Sequence, residues 1–353
     1  IGRMALTPEG MCGFEYDADW IQTGFSISPF YLPLKSGLIM AKRDPFGGNF
    51  GVFDDSLPDG WGNLLLDRYL QERGIDPYKL NILERLSLIG STGRGALEYY
   101  PDKSVVSDAE YLNFDSLAKE VAKILESKES KGSVDLLYKY GGSSGGARPK
   151  IFTKVDGREW LVKFKATNDP VDVGEIEYNY SLLARDCGIR MAETRLFDNR
   201  YFGVERFDRV PQGKIHTVSA AGLLHANYRI PSLDYSILLK LTLNLTKDME
   251  QVAEMFRLMV FNVLISNRDD HAKNLSFQWA NGAWKLSPAY DLLPSNGFNG
   301  YHTTTINEKG EPALADVIAL AAEIGLSKQY ATQTIEELTE KCVAKKMVKF
   351  RLR

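Results

Sequence analysis

The sequence predicts an α+β chain of two lobes, with an extra β-rich subdomain at its N-terminus and an all-helical lobe at its C-terminus. Three observations lead to that class. Residues 1–100 alternate short apolar stretches with turn sequences such as Asp44-Pro45-Phe46-Gly47-Gly48-Asn49, and only 60–74 carries helical spacing. Two strand-like runs, Lys150-Ile151-Phe152-Thr153-Lys154-Val155 and Glu159-Trp160-Leu161-Val162-Lys163-Phe164, precede a helix-like segment over 175–187. From about residue 210 apolar side chains recur at helical spacing, most regularly over 233–243 and 249–265. These changes of pattern divide the chain into 1–100, 101–208 and 209–353.

Within the first part, Gly90-Ser91-Thr92-Gly93-Arg94-Gly95-Ala96 is a Gly-rich loop, but Leu97-Glu98-Tyr99-Tyr100 after it reads as a strand. No helix N-terminus then faces an anion, so the loop reads as a structural turn. Residues 101–140 place Leu117, Val121, Ile124 and Leu125 at helical spacing and read as a connector. A second loop, Gly141-Gly142-Ser143-Ser144-Gly145-Gly146-Ala147-Arg148-Pro149-Lys150, runs straight into a strand. Backbone N–H groups without bulky side chains can approach phosphate oxygens closely. The string matches neither the P-loop nor the protein-kinase glycine pattern, and alone it reads as a linker. Its sequel changes the reading. Lys163 stands alone between apolar strand neighbours, and Glu177 on the following helix is a candidate partner for the Lys–Glu pairing that positions α- and β-phosphates. Next, Phe202-Gly203-Val204-Glu205-Arg206-Phe207-Asp208-Arg209 is a strand that turns abruptly charged. It suits a lobe-connecting segment whose main chain grips an adenine, or else an edge strand with a solvated end.

The most informative string is Asn267-Arg268-Asp269-Asp270-His271-Ala272-Lys273-Asn274, with Tyr290-Asp291 seventeen residues further on. An apolar helix over 255–265 delivers it, and two short strands joined by Ala280-Asn281-Gly282 lead to Asp291. Phosphotransferases need one carboxylate to orient the attacking hydroxyl, plus an amide oxygen and a second carboxylate for Mg²⁺. Asp269, Asn274 and Asp291 fit those jobs, with Asp269 preferred to Asp270 because the five-residue spacing to Asn274 fits. Read alone, the string could be a polar turn of capping residues. Small-molecule kinases share this logic, and a partner-binding protein with a vestigial site is a non-enzymatic alternative. The intact set of Lys163, Asp269, Asn274 and Asp291 speaks against decay.

Taken together, the chain resembles the HipA-family serine/threonine kinases, the toxins of bacterial HipBA-type toxin–antitoxin modules. The resemblance rests on Ser143-Ser144-Gly145-Gly146-Ala147-Arg148-Pro149-Lys150, Val162-Lys163-Phe164, Val204-Glu205-Arg206-Phe207-Asp208-Arg209, Asp269-Asp270-His271-Ala272-Lys273-Asn274 and Leu286-Ser287-Pro288-Ala289-Tyr290-Asp291. Val52-Phe53-Asp54-Asp55-Ser56-Leu57-Pro58-Asp59-Gly60-Trp61-Gly62 extends it to the family's N-terminal subdomain. The resemblance implies a two-lobed protein-kinase-like fold and Mg²⁺-dependent transfer of the ATP γ-phosphate to Ser or Thr. It implies Asp269 as catalytic base, Asn274 and Asp291 as Mg²⁺ ligands, and Lys163 with Glu177 at the phosphates. Gly145, Gly146, Ala147, Arg148, Pro149 and Lys150 would form the ATP loop. Glu205, Arg206 and Phe207 would face adenine, Asp208 the ribose, and His271 and Lys273 the phosphates, with Tyr290 beside Asp291. Ser143 falls where family members phosphorylate themselves, expelling the loop and silencing the kinase; Ser144 is the immediate rival. A phosphate of about −1.5 to −2 charge would compete for the cations that hold ATP. Implied partners are a protein substrate such as an aminoacyl-tRNA synthetase or another translation factor, a helix-turn-helix antitoxin of HipB type, and DNA mainly through that antitoxin. The loop departs from the most familiar HipA version, which is more apolar and contains glutamine.

Composition narrows the field. At 353 residues, 44% hydrophobic and 25% charged, the chain can bury a sizeable core in two or three units. No run approaches the roughly 18 apolar residues of a membrane span. No signal-peptide pattern opens the chain, which starts at Ile1 and leaves room for an upstream strand. Cys12, Cys187 and Cys342 lack metal-ligand spacing and are odd in number, as expected in a reducing cytoplasm. A net charge of −3 argues against a surface that coats nucleic acid. Lys341, Lys345, Lys346, Lys349, Arg351 and Arg353 read as a solvated helix end, with a DNA or partner contact as the sharper alternative. His216, His225, His271 and His302 never form His-x-x-x-His, and no Gly-x-Ser-x-Gly occurs, so zinc and serine hydrolases are disfavoured. His216 and His225 read as packing residues, and His302 carries no assignment.

Overall fold

The structure, a computed structural model, describes residues 1–105, 113–126, 132–297 and 299–347. Internal contacts divide the chain into two units, one formed by Ile1–Glu175, Glu193–Val218 and Gly222–His225, the other by Ile176–Ala192, Ser219–Ala221 and Ala226–Arg353.

The first unit opens with β1 (Gly2–Leu6) and β2 (Cys12–Tyr16), paired antiparallel with Gly2 opposite Tyr16. Period-2 alternation turns Phe14 and Tyr16 inward. After α1 (Ala18–Thr23), β3 (Ile39–Met40) joins the other edge of β2. Then follow α2 (Gly51–Asp54), α3 (Gly60–Gln71), α4 (Ile82–Ile89), α5 (Phe114–Glu126) and α6 (Ser133–Gly141). Asn81 and Glu84 form a capping box that starts α4. Next come β4 (Lys150–Val155), β5 (Arg158–Lys163), α7 (Val173–Asp186), β6 (Thr194–Phe197) and β7 (Tyr201–Glu205), and the four strands form an antiparallel sheet in the order β4-β5-β7-β6. Trp61, Leu65, Leu66 and Leu70 of α3 pack with Leu117, Val121 and Ile124 of α5, Val134 and Leu137 of α6, and Ile151, Trp160 and Val162 of the sheet. The helical spacing over 117–125 therefore builds core rather than a mere connector, because three-and-four spacing makes one apolar stripe that must be buried. Residues 97–100 are not a strand. Leu97 is buried and Glu98 exposed, as a strand would have them, but among the described residues Tyr99 N–H to the Gly90 carbonyl is the one main-chain bond seen there, and Pro101 has no N–H to extend a ladder. The unit ends with β8 (Arg209–Val210), β9 (Gly213–Lys214), β10 (His216–Ser219) and α8 (Ala220–Leu224), the last two shared with the second unit across its boundaries.

In the second unit β11 (Leu233–Asp234) leads into α9 (Tyr235–Thr246), and α10 (Met249–Leu264) follows; Asp234 and Asp248 cap the two helices. α10 is apolar on most sides and buried from Leu258 to Leu264, as a core helix should be. β12 (Ser276–Ala280) and β13 (Ala283–Leu286) form a hairpin with Trp279 opposite Trp284. Its turn residues Asn281 and Gly282 both have positive φ, 53° and 77°, the conformation that Asn-Gly hairpins select. β14 (Thr304–Thr305) pairs parallel with β11, and α11 (Leu314–Glu323) and α12 (Lys328–Ala344) complete the unit. Helices dominate, yet the expected all-helical lobe is amended: the hairpin and the β11–β14 pair are needed to deliver and brace polar loops that a helix could not shape. Cys187 and Cys342 are free, buried thiols whose sulfurs lie 4.0 Å apart. Of the basic C-terminal residues, Lys341 pairs with Glu337 at 2.6 Å and Lys345 with Asp186 at 3.4 Å. Lys349, Arg351 and Arg353 lie outside the described residues. Among the described residues no helix is long and apolar enough to cross a membrane.

Leu65 is fully buried at the centre of the α3–α5–α6 core. Leu65→Ala is expected to cost about 2–5 kcal/mol, read as a lower urea midpoint with an unchanged slope.

Candidate active site

The Gly-rich loop lies between α6 and β4. Gly145, Gly146 and Ala147 are exposed, whereas Pro149 and Lys150 are buried. The start of α3 is its seat. The Asp59 carboxylate accepts the Gly146 N–H, the Trp61 N–H donates to the Gly146 carbonyl at 3.0 Å, and the Trp61 indole N–H donates to the Lys150 carbonyl at 3.1 Å. Glycine is required beneath it: a Cβ on Gly60 would stand 2.5 Å from the Gly146 oxygen, and one on Gly62 2.2 Å from the Ser144 oxygen. Sequence reading took Asp59-Gly60-Trp61-Gly62 as a subdomain signature only. Its partner lies 87 residues along the chain, so no local pattern could reveal the seat.

Lys150 donates to the Gly145 carbonyl at 2.5 Å, closing the loop on itself. It also stands directly opposite Lys163 in the β4–β5 register. Arg148 is held by a two-pronged pair to Asp169, at 3.1 and 3.2 Å. Glu177 is 4% exposed and belongs to the second unit, Lys163 to the first. Ser143 is half-buried and donates to the Thr92 carbonyl at 3.1 Å. Ser144 is buried and donates to the Gly141 carbonyl at 2.6 Å, so Ser143 is the more accessible hydroxyl. A cavity of about 460 Å³ opens beside Ser143, with Phe152, Lys139, Lys154 and Lys214 in its wall.

At the end of β7, Glu205 pairs with Arg158 at 3.3 Å, and the Arg206 N–H donates to the Glu159 carbonyl at 2.8 Å. Phe207 follows, then Asp208, whose carboxylate is enclosed. It accepts from Arg206 Nε (3.1 Å) and Nη2 (2.9 Å), Arg209 Nη1 (2.9 Å) and the Gly95 N–H (2.8 Å). The same arginines donate to the Gly93 carbonyl, and Arg206 lies 4.4 Å over the Phe152 ring. The loop over 90–96 is thus a pinned structural turn. Asp208, expected near a ribose, is instead 5% exposed and bonded within its own unit, because a buried carboxylate is costly unless its lone pairs are filled. Burial would push this carboxyl up, but Arg206 and Arg209 outweigh it and hold the group well below the usual carboxylate range. The stabilisation is therefore whole above the unfolded value of about 3.9 and fades as pH falls below it. Asp208→Asn strands two buried guanidiniums and is expected to cost about 3–5 kcal/mol at pH 7, with the gap to the parent narrowing in melts below pH 4.

In the second unit, α10 stops in a Schellman turn: Ser266 has φ 57°, its N–H bonds to the Val263 carbonyl, and the Asn267 N–H bonds to the Asn262 carbonyl. That turn projects the polar string. The Asp269 side chain is 62% exposed, and His271 Nε2 lies 3.8 Å from its Oδ1. Asp270 is 1% exposed. The Asn274 side-chain amide donates to the Asp269 carbonyl at 2.8 Å, leaving Oδ1 as its remaining acceptor. Lys273 Nζ lies 4.5 Å over the Tyr228 ring. The Tyr290 hydroxyl donates to the Lys273 carbonyl at 2.6 Å. Asp291 has φ 55°, and its carbonyl accepts from Asn267 Nδ2 at 3.1 Å. The structure thus draws Asp269, Asn274, Tyr290 and Asp291 onto one hydrogen-bonded framework. Among the described residues no cluster of three or more acids, His or Cys forms a protein-only metal cage. One amide and one carboxylate oxygen, from Asn274 and Asp291, do fit Mg²⁺, which takes the rest of its shell from water and phosphate.

Comparison with known proteins gives the chain's family and fold. Residues 142–346 match the HipA-like C-terminal domain and residues 1–100 the HipA N-terminal domain. Y4dM of Sinorhizobium fredii (strain NBRC 101917 / NGR234), named as a candidate kinase, is 26% identical over 337 residues, covering 86% of this chain and 80% of Y4dM. The toxin YjjJ of Escherichia coli (strain K12) is 28% identical over 169 residues, 44% of this chain and 38% of YjjJ. Among solved structures, HipA of Shewanella oneidensis MR-1, seen with HipB and operator DNA, superposes with a TM-score of 0.71 at 19% identity, covering 99% of this chain and 89% of that one. Two domain matches that together span most of the residues, and a kinase-like α+β fold shared end to end, make this chain a member of the HipA family.

Proposed function

We propose that this chain is a Mg²⁺- and ATP-dependent protein serine/threonine kinase of HipA type, a toxin that phosphorylates a cellular protein and silences itself at Ser143. The observation that supports the reading is the bond from the Asn274 amide to the Asp269 carbonyl, which ties the residue proposed as base to the residue proposed as metal ligand. Exposed Asp269 orients the acceptor hydroxyl and takes its proton as the new O–P bond forms and the bond from the γ-phosphorus to the β–γ bridging oxygen breaks, with ADP as the leaving group. Gly145 to Lys150, Lys163 and Glu177 would serve the phosphates; main-chain groups of Glu205 to Phe207 would receive the adenine, and His271 and Lys273 would stand at the phosphates. Bound Mg²⁺ would neutralise charge between the β- and γ-phosphates. Acceleration rests on positioning and charge compensation, with no covalent intermediate.

Ser143 suits self-inactivation because it is the more accessible of the two loop serines and sits among Lys139, Lys154 and Lys214. A HipB-type helix-turn-helix antitoxin, with operator DNA reached mainly through it, is supported by the Shewanella complex. A cytoplasmic protein target, such as an aminoacyl-tRNA synthetase or another translation factor, follows from the family resemblance.

The test is intact mass and phosphopeptide mapping of dephosphorylated protein after incubation with Mg²⁺-ATP, for the parent and Asp269→Ala. The parent is expected to gain phosphate at Ser143, and Asp269→Ala to remain folded and unlabelled. Normal labelling of Asp269→Ala removes the base assignment. An unlabelled parent that binds ATP and phosphorylates a sugar or amino-alcohol makes the chain a small-molecule kinase.

A further inference from the structure

Asp270, set aside in favour of its neighbour as the base, is the end of a buried polar chain. Its Oδ2 accepts from the Tyr235 hydroxyl and from His302 Nδ1, each at 3.0 Å. A carboxylate only accepts, so the His302 proton sits on Nδ1. Oδ1 accepts the N–H groups of Thr303 (3.0 Å) and Thr304 (3.2 Å), while the Thr304 hydroxyl donates to the Asp270 carbonyl at 2.6 Å. The chain continues inward. Asn262 Nδ2, on α10, donates to the Tyr235 hydroxyl at 3.1 Å, and Asn262 Oδ1 accepts from Asn267 Nδ2 at 3.0 Å. The same Asn267 amide donates to the Asp291 carbonyl at 3.1 Å. Tyr235, Asn262, Asn267 and Asp270 are each at most 3% exposed.

We infer that Asp270, Tyr235, Asn262 and Asn267 are positioning residues: a buried relay that fixes the backbone carrying the base, Asp269, against the backbone carrying the metal ligand, Asp291. The inference rests on the kinase reading above and deepens it. Two properties suit the relay to that task. Each donor meets an acceptor with no ambiguity of direction, from Asn267 through Asn262 and Tyr235 to Asp270, so the chain has one arrangement. It also starts from rigid parts, since Tyr235 and Asn262 sit on α9 and α10. Burial, then the Asp270 charge, push the Tyr235 hydroxyl well above its ordinary range, so it remains a donor. Asp291 needs such an anchor because its positive φ is a conformation that a non-glycine backbone rarely holds unaided.

The test compares full-length parent, Tyr235→Phe and Asn262→Leu, two conservative cuts at different links, with Asp269→Ala as control. Phosphate transfer and hydrogen exchange are measured at a temperature where melts show every variant folded. Either cut is expected to lower kcat by roughly ten- to a hundredfold, the cost of misplacing a reacting group by about an ångström, with KM for ATP nearly unchanged. The double variant should lose no more than the worse single variant. In Tyr235→Phe, faster exchange is expected at both 268–271 and 290–292, although the Tyr235 hydroxyl touches only the first. Parental kcat in both single variants, or exchange confined to 268–271, overturns the relay. A parent without transfer instead removes the kinase reading, and an active Asp269→Ala removes the base assignment; the exchange pattern then still decides whether the relay joins the two segments.

Discussion

Everything the site does depends on burying one carboxylate so that its neighbour can stay exposed. Asp270 sits at 1% exposure beside Asp269, whose side chain is 62% exposed. A bare carboxylate in that position would cost several kcal/mol. Tyr235, His302, Thr303 and Thr304 supply four donors to its two oxygens, so the charge is compensated where it lies. With Asp270 anchored inward, the preceding side chain, Asp269, faces outward. Asn274 then bonds the Asp269 carbonyl, and Tyr290 bonds the Lys273 carbonyl, which ties the string to the segment that bears Asp291.

The first unit uses the same device twice. Asp208, enclosed by two arginines and the Gly95 N–H, pins the loop over 90–96 to the end of β7. Asp59 takes the Gly146 N–H and seats the second Gly-rich loop on α3. Both are long-range bonds from a carboxylate to backbone groups that no regular ladder can satisfy. A flexible glycine sequence thereby becomes a shaped surface.

What could be read from the sequence follows from range. Stripe spacing found α5, α9 and α10, and Asn281-Gly282 announced the β12–β13 hairpin, because both signals are local. The five-residue step from Asp269 to Asn274 was legible for the same reason. Asp59 and His302 were not, since their meaning lies in partners 87 and 32 residues away. Residues 97–100 misled because side-chain alternation mimics a strand where the backbone lacks a partner. The stripe of Leu117, Val121 and Ile124 was legible, but its partners on α3, α6 and the sheet were not, because they are distant in sequence. The β11–β14 pair in the second lobe went unread because two-residue strands leave no periodic trace.

The central claim is that Asn274 and Asp291 form a Mg²⁺ site for a bound nucleotide, on the framework that also presents Asp269. Calorimetric titration with a non-hydrolysable ATP analogue, with and without Mg²⁺, tests it without relying on catalysis. In the parent, Mg²⁺ is expected to tighten nucleotide binding, and Asp291→Ala to lose that increment while keeping the metal-independent binding. An Asp291→Ala protein in which Mg²⁺ tightens binding as much as in the parent would contradict the account.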